Sequence, residues 1–271
     1  MSWQKLADLH THTARCGHAR GREEDYIQKA LELGLAAIAI TDHIPFYWLP
    51  PAQHDPSLAM APEELPGYVE SVLALKEKYR GRIEVLLGIE ADYIEGHEEA
   101  LRGLLAAYPF DVVLGSVHWL DGFWVDAPSS RHRYEEGPEA VEAIWGAYWT
   151  KLEKAVRSGL FDVMAHLDLP KKFGFFPAQP LATLEDRVLA ALAETGVAVE
   201  LSSAGRRKPV GEDYPSRRWL TRLVDAQVPL VLSSDAHAPE EVGFAFGELA
   251  QLLASFGQKP GLFRKRQFVV F

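Results

Sequence analysis

Ten histidines are spread over 271 residues, and seven of them fall in one kind of place. His10 and His12 stand in "DLHTHT", with His18 shortly after. His43 ends "ITDH", His118 ends "LGSVH", His166 lies in "VMAHLD" and His237 ends "SSDAH". Each motif follows a short apolar run. Two carboxylates share the pattern, Glu90 in "LLGIEADY" and Asp235 in "SSDAH". Imidazoles and carboxylates are natural ligands for zinc, iron and manganese. Singly, each residue has a plainer use: a strand-end histidine can cap a backbone group, and Asp235 could cap the helix that follows it. Together, nine polar groups on one rim would be costly to bury without a shared purpose. Nine ligands exceed one tetrahedral ion and suit three divalent ions if a carboxylate bridges, since paired metals sit roughly 3.5–4 Å apart. Glu90, the only glutamate of the set, is the expected bridge. His54, His97 and His132 fall in loops or at helix starts and receive no assignment.

The elements that would position these ligands alternate. Apolar runs beginning at "WQKLADLH", "LAAIAITDH", "RIEVLLGIEADY", "FDVVLGSVH", "FDVMAHLD", "GVAVELSS" and "VPLVLSSDAH" are each followed by a helical pattern. The helices are expected near 24–33, 62–79, 98–107, 139–158, 181–195, 216–226 and 239–255. Gly34, Gly159 and Gly196 stand where helix C-caps belong, and Pro62 and Pro239 where first-turn prolines are tolerated. Seven strand–helix units with strands apolar on both faces predict a parallel sheet covered on both sides. In α/β barrels the C-terminal rim carries the site, and residues i and i+2 of a strand share a side. His10 with His12 can then form one pincer, and Asp235 with His237 another. The closing "RQFVVF" reads as a short strand or a docking tail. The aromatic, proline-rich stretch 44–61 reads equally as a lid or a packed loop.

Composition narrows the function. At 48% apolar and 24% charged residues the chain reads as one globular domain over 1–271. The single cysteine, Cys16, rules out an intrachain disulfide, in keeping with a reducing compartment. "MSWQKLADLH" lacks the apolar core of a signal peptide, and no apolar run reaches the roughly 20 residues of a membrane span. The expected location is cytoplasmic, with no membrane partner. A formal charge of −10 disfavours nucleic-acid backbones. Three divalent cations would offset more than half of that charge.

"DLHTHT", "ITDH", "LLGIEADY", "GSVH", "AHLDL" and "SSDAH", in this order from about residue 6 to 240, resemble the polymerase-and-histidinol-phosphatase (PHP) family of metal-dependent phosphoesterases. The resemblance implies a distorted, TIM-like (βα)7 barrel. It implies one metal on His10, His12, Glu90 and Asp235, a second sharing Glu90 and adding His118 and His166, and a third on His18, His43 and His237. It further implies that Glu90, Asp235 and His237 carry the catalysis. "CGHARGREEDYIQKALELGL", "SVHWLDGFWVD", "HLDLPKKFG" and "ELSSAGRRKPVGEDYPS" resemble the members that hydrolyse L-histidinol phosphate in histidine biosynthesis. Ser202, Ser203 and Ala204 replace that group's usual Asn-Thr-Ser. A small phosphomonoester is the expected substrate, attacked in line by a metal-activated hydroxide. Arg207, Lys208, Lys171 and Lys172 are the expected phosphate contacts. Three rivals are weighed. An amidohydrolase would carry a bridging lysine that the rim lacks. A nucleotide phosphoesterase of the same family fits the charge if its substrate is small. A metal-binding structural module would have lost ligands, and none is missing.

Overall fold

The computed structural model describes residues 6–120 and 122–270. Seven parallel strands follow one another around a barrel: β1 (Ala7–Asp8), β2 (Ala37–Ile40), β3 (Glu84–Asp92), β4 (Val112–Ser116), β7 (Val163–Met164), β8 (Ala198–Ser202) and β9 (Leu230–Ser233). Between them run α1 (Glu23–Leu33), α2 (Leu65–Lys78), α3 (Glu98–Ala106), the short α4 (Arg131–Tyr134) with the long α5 (Pro138–Arg157), α6 (Ala182–Thr195) and α7 (Arg217–Asp225). A small hairpin, β5 (Trp119–Leu120) with β6 (Phe123–Trp124), stands beyond β4. After β9 come α8 (Phe246–Ser255), β10 (Gly261–Arg264) and β11 (Gln267–Val270).

The two-residue period sorts each strand's side chains. Ala37, Ala39, Leu86, Val112, Leu114, Val163, Ala198 and Val231 pack inside the barrel. Their neighbours Ile38, Ile40, Val85, Leu87, Val113, Met164, Val199 and Leu232 pack outward beneath the helices. The inner set is rich in alanine because a ring of seven strands leaves little room.

Closure is uneven, which is the distortion. One edge of β9 pairs with β8, and its other edge is divided. Val231 pairs with Gly261 of β10, while the Leu9 N–H donates to the Leu232 carbonyl at 3.1 Å. The seam to β1 continues past the strands in a parallel bridge between Thr11 and Ala236. At the opposite end, the antiparallel β10–β11 pair places Leu262, Phe263, Phe268 and Val269 against the inner core. Arg264 pairs with Glu84, the first residue of β3, and Arg266 pairs with Asp162 ahead of β7. The closing segment is therefore both a strand and a plug; its last residue, Phe271, lies outside the described residues, as do residues 1–5, of which 3–5 open the first expected strand.

Two expected helices are broken. That over 62–79 begins as a 3₁₀ turn, Pro62–Glu64, before α2, whose first turn accommodates Pro66. That over 239–255 holds a 3₁₀ turn at Pro239–Glu241, and the chain then passes through positive φ at Gly243 (66°) and Ala245 (58°) before α8 begins. β10 and the β5–β6 hairpin are too short to show a period in the sequence.

Candidate metal centre

All nine candidate ligands lie at or just past the C-terminal ends of β1, β2, β3, β4, β7 and β9. The β1–β9 seam brings the two pincers together: the His12 N–H donates to the Ala236 carbonyl at 2.8 Å, and the Ala236 N–H to that of His10 at 3.3 Å. His10 and His12 are completely buried. Their Nε2 atoms approach to 2.9 Å, and both lie 3.2 Å from Glu90 Oε2. Asp235 Oδ1 stands 3.3 Å from His12 Nε2 and 3.6 Å from His10 Nε2. The other oxygen of Glu90 faces His166 Nε2 at 3.2 Å and His118 Nε2 at 3.8 Å. His43 Nδ1 comes within 3.1 Å of Glu90 Oε2, so its ring sits between the second and third implied groups. His18 and His237 complete the cluster, their rings 4.9 Å apart and 5.3 and 4.4 Å from those of His43 and His12 respectively. Glu90 thus occupies the centre, each oxygen turned to a different group of imidazoles.

The backs of the rings show which nitrogen is free. His10 Nδ1 lies 2.9 Å from Glu200 Oε2, and His118 Nδ1 3.2 Å from Asp92 Oδ1. His18 Nδ1 lies 3.0 Å from the carbonyls of both Cys16 and Ser57, and His237 Nδ1 3.1 Å from that of Asp235. An oxygen acceptor behind Nδ1 assigns the proton there and leaves Nε2 a lone pair. Ring nitrogens and carboxylate oxygens gather in several tight groups. His10, His12 and Asp235 form one cluster with donor atoms within 4.8 Å of one another; His12, His43 and His237 form another; His43, Glu90 and His118 form a third. Acceptors facing acceptors in a buried site are satisfied by protons or by a cation between them, and divalent metals fit this donor set.

Electrostatics agree. Burial pushes the Glu90 and Asp235 carboxyls up, but the surrounding imidazoles outweigh it and hold both well below the usual range. Burial among other imidazoles holds His43 far below its usual value and His237 down to about 3, so both offer neutral rings at neutral pH. His166 and Asp235 have positive φ, 25° and 49°. Non-glycine residues rarely rest there unless their surroundings hold them, and such strain clusters at functional sites.

A cavity of about 430 Å³ opens above the cluster. Its floor includes His18, His43, Glu90, His118, His166, Asp235 and His237. Phe46 and Trp124 form an aromatic wall, ring centres 5.6 Å apart, with Ile44 and Leu58 beside it. The 44–61 stretch thus supplies one side of the cavity.

The four expected phosphate contacts separate. Lys208 lines the cavity and has no ion-pair partner among the described residues. Lys172 lines it too, but its ammonium is held by Asp126, 2.9 Å from Oδ2. Burial raises the Asp126 carboxyl, and Lys172 and His118 pull it down to about 2. Lys171 is turned away. It is completely buried, donating to Glu212 Oε1 at 2.8 Å and the Asp213 carbonyl at 2.7 Å, with Asp168 Oδ2 at 3.1 Å. The expectation that it reaches phosphate is corrected: the 3₁₀ turn Leu169–Phe173 points successive lysines in different directions. Arg207 does not spread a free fork. Its Nη2 donates to the carbonyls of Ser234 (2.8 Å) and Asp235 (3.1 Å), bracing the turn that carries Asp235. Its Nη1 is buried without a protein partner among the described residues.

Sequence reasoning missed the carboxylates beneath the ligands. Asp8 accepts from the N–H and hydroxyl of Ser234 (2.9 and 2.6 Å) and from the Gly243 N–H (2.9 Å). Asp42 holds Thr13, Asp92 holds His118, and Glu200 holds His10 and His166. A charged residue inside an apolar strand, as in "VAVELSS", was the available signal.

A seven-stranded parallel barrel with a clustered histidine–carboxylate centre at its C-terminal rim defines a class, that of barrel hydrolases built for divalent metals. The chain belongs to the PHP family: it matches the PHP domain over residues 8–204. A Deinococcus radiodurans protein named a probable histidinol-phosphatase is 38% identical over 262 residues, covering 97% of this chain and 98% of that one. The Bacillus subtilis histidinol-phosphatase is 30% identical over 260 residues, covering 88% and 96%. Among solved structures, the Lactococcus lactis histidinol phosphate phosphatase, in complex with zinc, L-histidinol and phosphate, superposes with a TM-score of 0.80 over 98% of this chain and 99% of its own, at 19% identity.

Proposed function

We propose that the protein is a metal-dependent phosphomonoesterase that hydrolyses L-histidinol phosphate to L-histidinol and phosphate in histidine biosynthesis. The observation that carries this is the gathering of eight candidate ligands around a ninth, Glu90, at the base of a cavity whose wall carries Lys208, unpaired among the described residues. Near-full-length identity to histidinol-phosphatases supports the choice of substrate. Three divalent ions, of zinc, iron or manganese, are the occupancy that nine ligands suit best.

Bound divalent cations would neutralise the phosphate dianion and lower the pKa of a water, to about 7 in the best zinc cases. The protein's own residues do the rest. Glu90, Asp235 and His237 stand at the cavity floor, where the reacting phosphorus must lie. Lys208, on the cavity wall, is the cation placed for phosphoryl oxygens, while Arg207 acts from behind by bracing the turn that carries Asp235. Phe46 and Trp124 offer flat faces to the imidazole of the leaving group. The Asp126 carboxylate, held ionised by Lys172, faces the same space and suits an ammonium group.

A phosphate-release screen over small monoesters on metal-analysed protein tests the assignment. L-histidinol phosphate is expected to give the highest kcat/KM. A nucleotide or sugar phosphate preferred more than tenfold would remove the biosynthetic assignment and leave the phosphatase chemistry standing.

A further inference from the structure

Glu200 lies in the middle of β8, two residues after Ala198, whose methyl joins the inner core. Its side chain is completely buried and makes no ion pair with a lysine or arginine among the described residues. Its oxygens part company. Oε2 lies 2.9 Å from His10 Nδ1, and Oε1 accepts the backbone N–H of His166 at 2.7 Å. His10 belongs to the first proposed metal and His166 to the second. His166 is also the residue held at a φ of 25°.

We propose that Glu200 is a positioning residue that ties two metal positions together. One oxygen fixes the His10 tautomer so that Nε2 presents its lone pair toward Glu90 and Asp235. The other oxygen holds the strained His166 backbone so that its ring reaches Glu90 from the far side. This rests on the metal-centre reading above. Only a group with two acceptors can do both. Glutamine offers one acceptor and one donor. If its NH₂ faces His10 Nδ1, that nitrogen must accept, and the ring proton moves to Nε2, where a metal would bind. If its NH₂ faces His166, two N–H donors collide and the turn is released. Ligand-supporting hydrogen bonds of this kind commonly govern metal affinity by 10–100-fold.

The test uses full-length wild type, Glu200→Gln and Glu200→Asp. Each is stripped with a chelator, then titrated calorimetrically with zinc and with manganese, and metal content is counted after desalting. Thermal unfolding of the stripped proteins is measured in parallel. Glu200→Gln is expected to bind at least one metal 10–100-fold more weakly than wild type, with kcat reduced and KM little changed, because substrate is not touched. Glu200→Asp, which keeps two acceptors on a shorter arm, is expected to recover part of that affinity, and it carries the test if the glutamine variant does not fold. Wild-type affinity and stoichiometry in Glu200→Gln would overturn the inference. So would a loss confined to the stability of the stripped protein. Wild type that binds no metal would instead overturn the metal-centre reading.

Discussion

The Nε2 atoms of His10 and His12 stand 2.9 Å apart. Since Glu200 occupies His10 Nδ1, the His10 nitrogen facing His12 carries a lone pair unless a proton has been added. Burial opposes that proton, but Glu200, Glu90 and Asp235 outweigh it at His10, and Asp235, Cys16 and Glu90 do so at His12, so both rings are held well above their usual value. His118 is raised to about 10 in the same way, by Asp92 and Glu90 against burial.

Metal must therefore displace protons. A proton bound to the metal-free protein competes with the cation, so affinity falls as pH is lowered. Calorimetric titration with zinc from pH 8 to pH 6 is expected to show progressive weakening, and buffers of different ionisation enthalpy should report more than one proton released per protein. An affinity that does not change with pH would mean that the ligands are already deprotonated.

Glu90→Gln is expected to lose metal and activity together. Each carboxylate oxygen of Glu90 faces a different ligand group, and an amide can supply neither the charge nor the second anionic oxygen. Elemental analysis of carefully purified wild type should approach three metals per chain. Unchanged metal content in the variant would move the bridge to Asp235.

Neighbouring lysines should behave oppositely. Lys208→Ala is expected to raise KM several-fold with little change in melting temperature, because Lys208 lines the cavity without a protein partner among the described residues. Lys171→Ala removes a buried cation from Asp168, Glu212 and the Asp213 carbonyl. Breaking a buried pair leaves an uncompensated charge, at a cost of roughly 3–5 kcal/mol. Thermal unfolding should show that loss, with KM little changed in the folded fraction. A raised KM and unaltered melting in Lys171→Ala would return it to the phosphate.

Much of this was legible because the ligands announce themselves. His10, His43, His118, His166 and Asp235 each end an apolar run, and chain order alone ranks the strands around a barrel. What was hidden depends on direction. Lys171 and Lys172 are adjacent in sequence, yet one enters a buried carboxylate pair and the other the cavity wall, a difference set by a 3₁₀ turn. Arg207 looked like a phosphate fork, but the carbonyls that claim it lie 27 and 28 residues away. Glu200 gives no local sign that its partners come from β1 and β7. β10 has one register pair with β9, too little for a pattern.

Cys16 is the one thiol near the centre; burial pushes it up, but the His12 and His18 imidazoles outweigh that and bring it down to about 6. It is completely buried, so attack on phosphorus from it has no path. Cys16→Ala is expected to keep most activity. Direct attack by water is a single displacement, so a substrate with chiral phosphorus should yield inverted phosphate, whereas a phosphoenzyme route would retain configuration.

The rim of ligands is proposed to make a metal-dependent histidinol phosphatase. The direct measurement is kcat/KM for L-histidinol phosphate and for nucleoside monophosphates, on chelator-stripped protein and again after adding back zinc or manganese. Stripping is expected to abolish activity, restored metal to recover it in proportion, and the restored enzyme to prefer L-histidinol phosphate clearly. Full activity in stripped protein whose metal content has been verified as negligible would contradict the proposal.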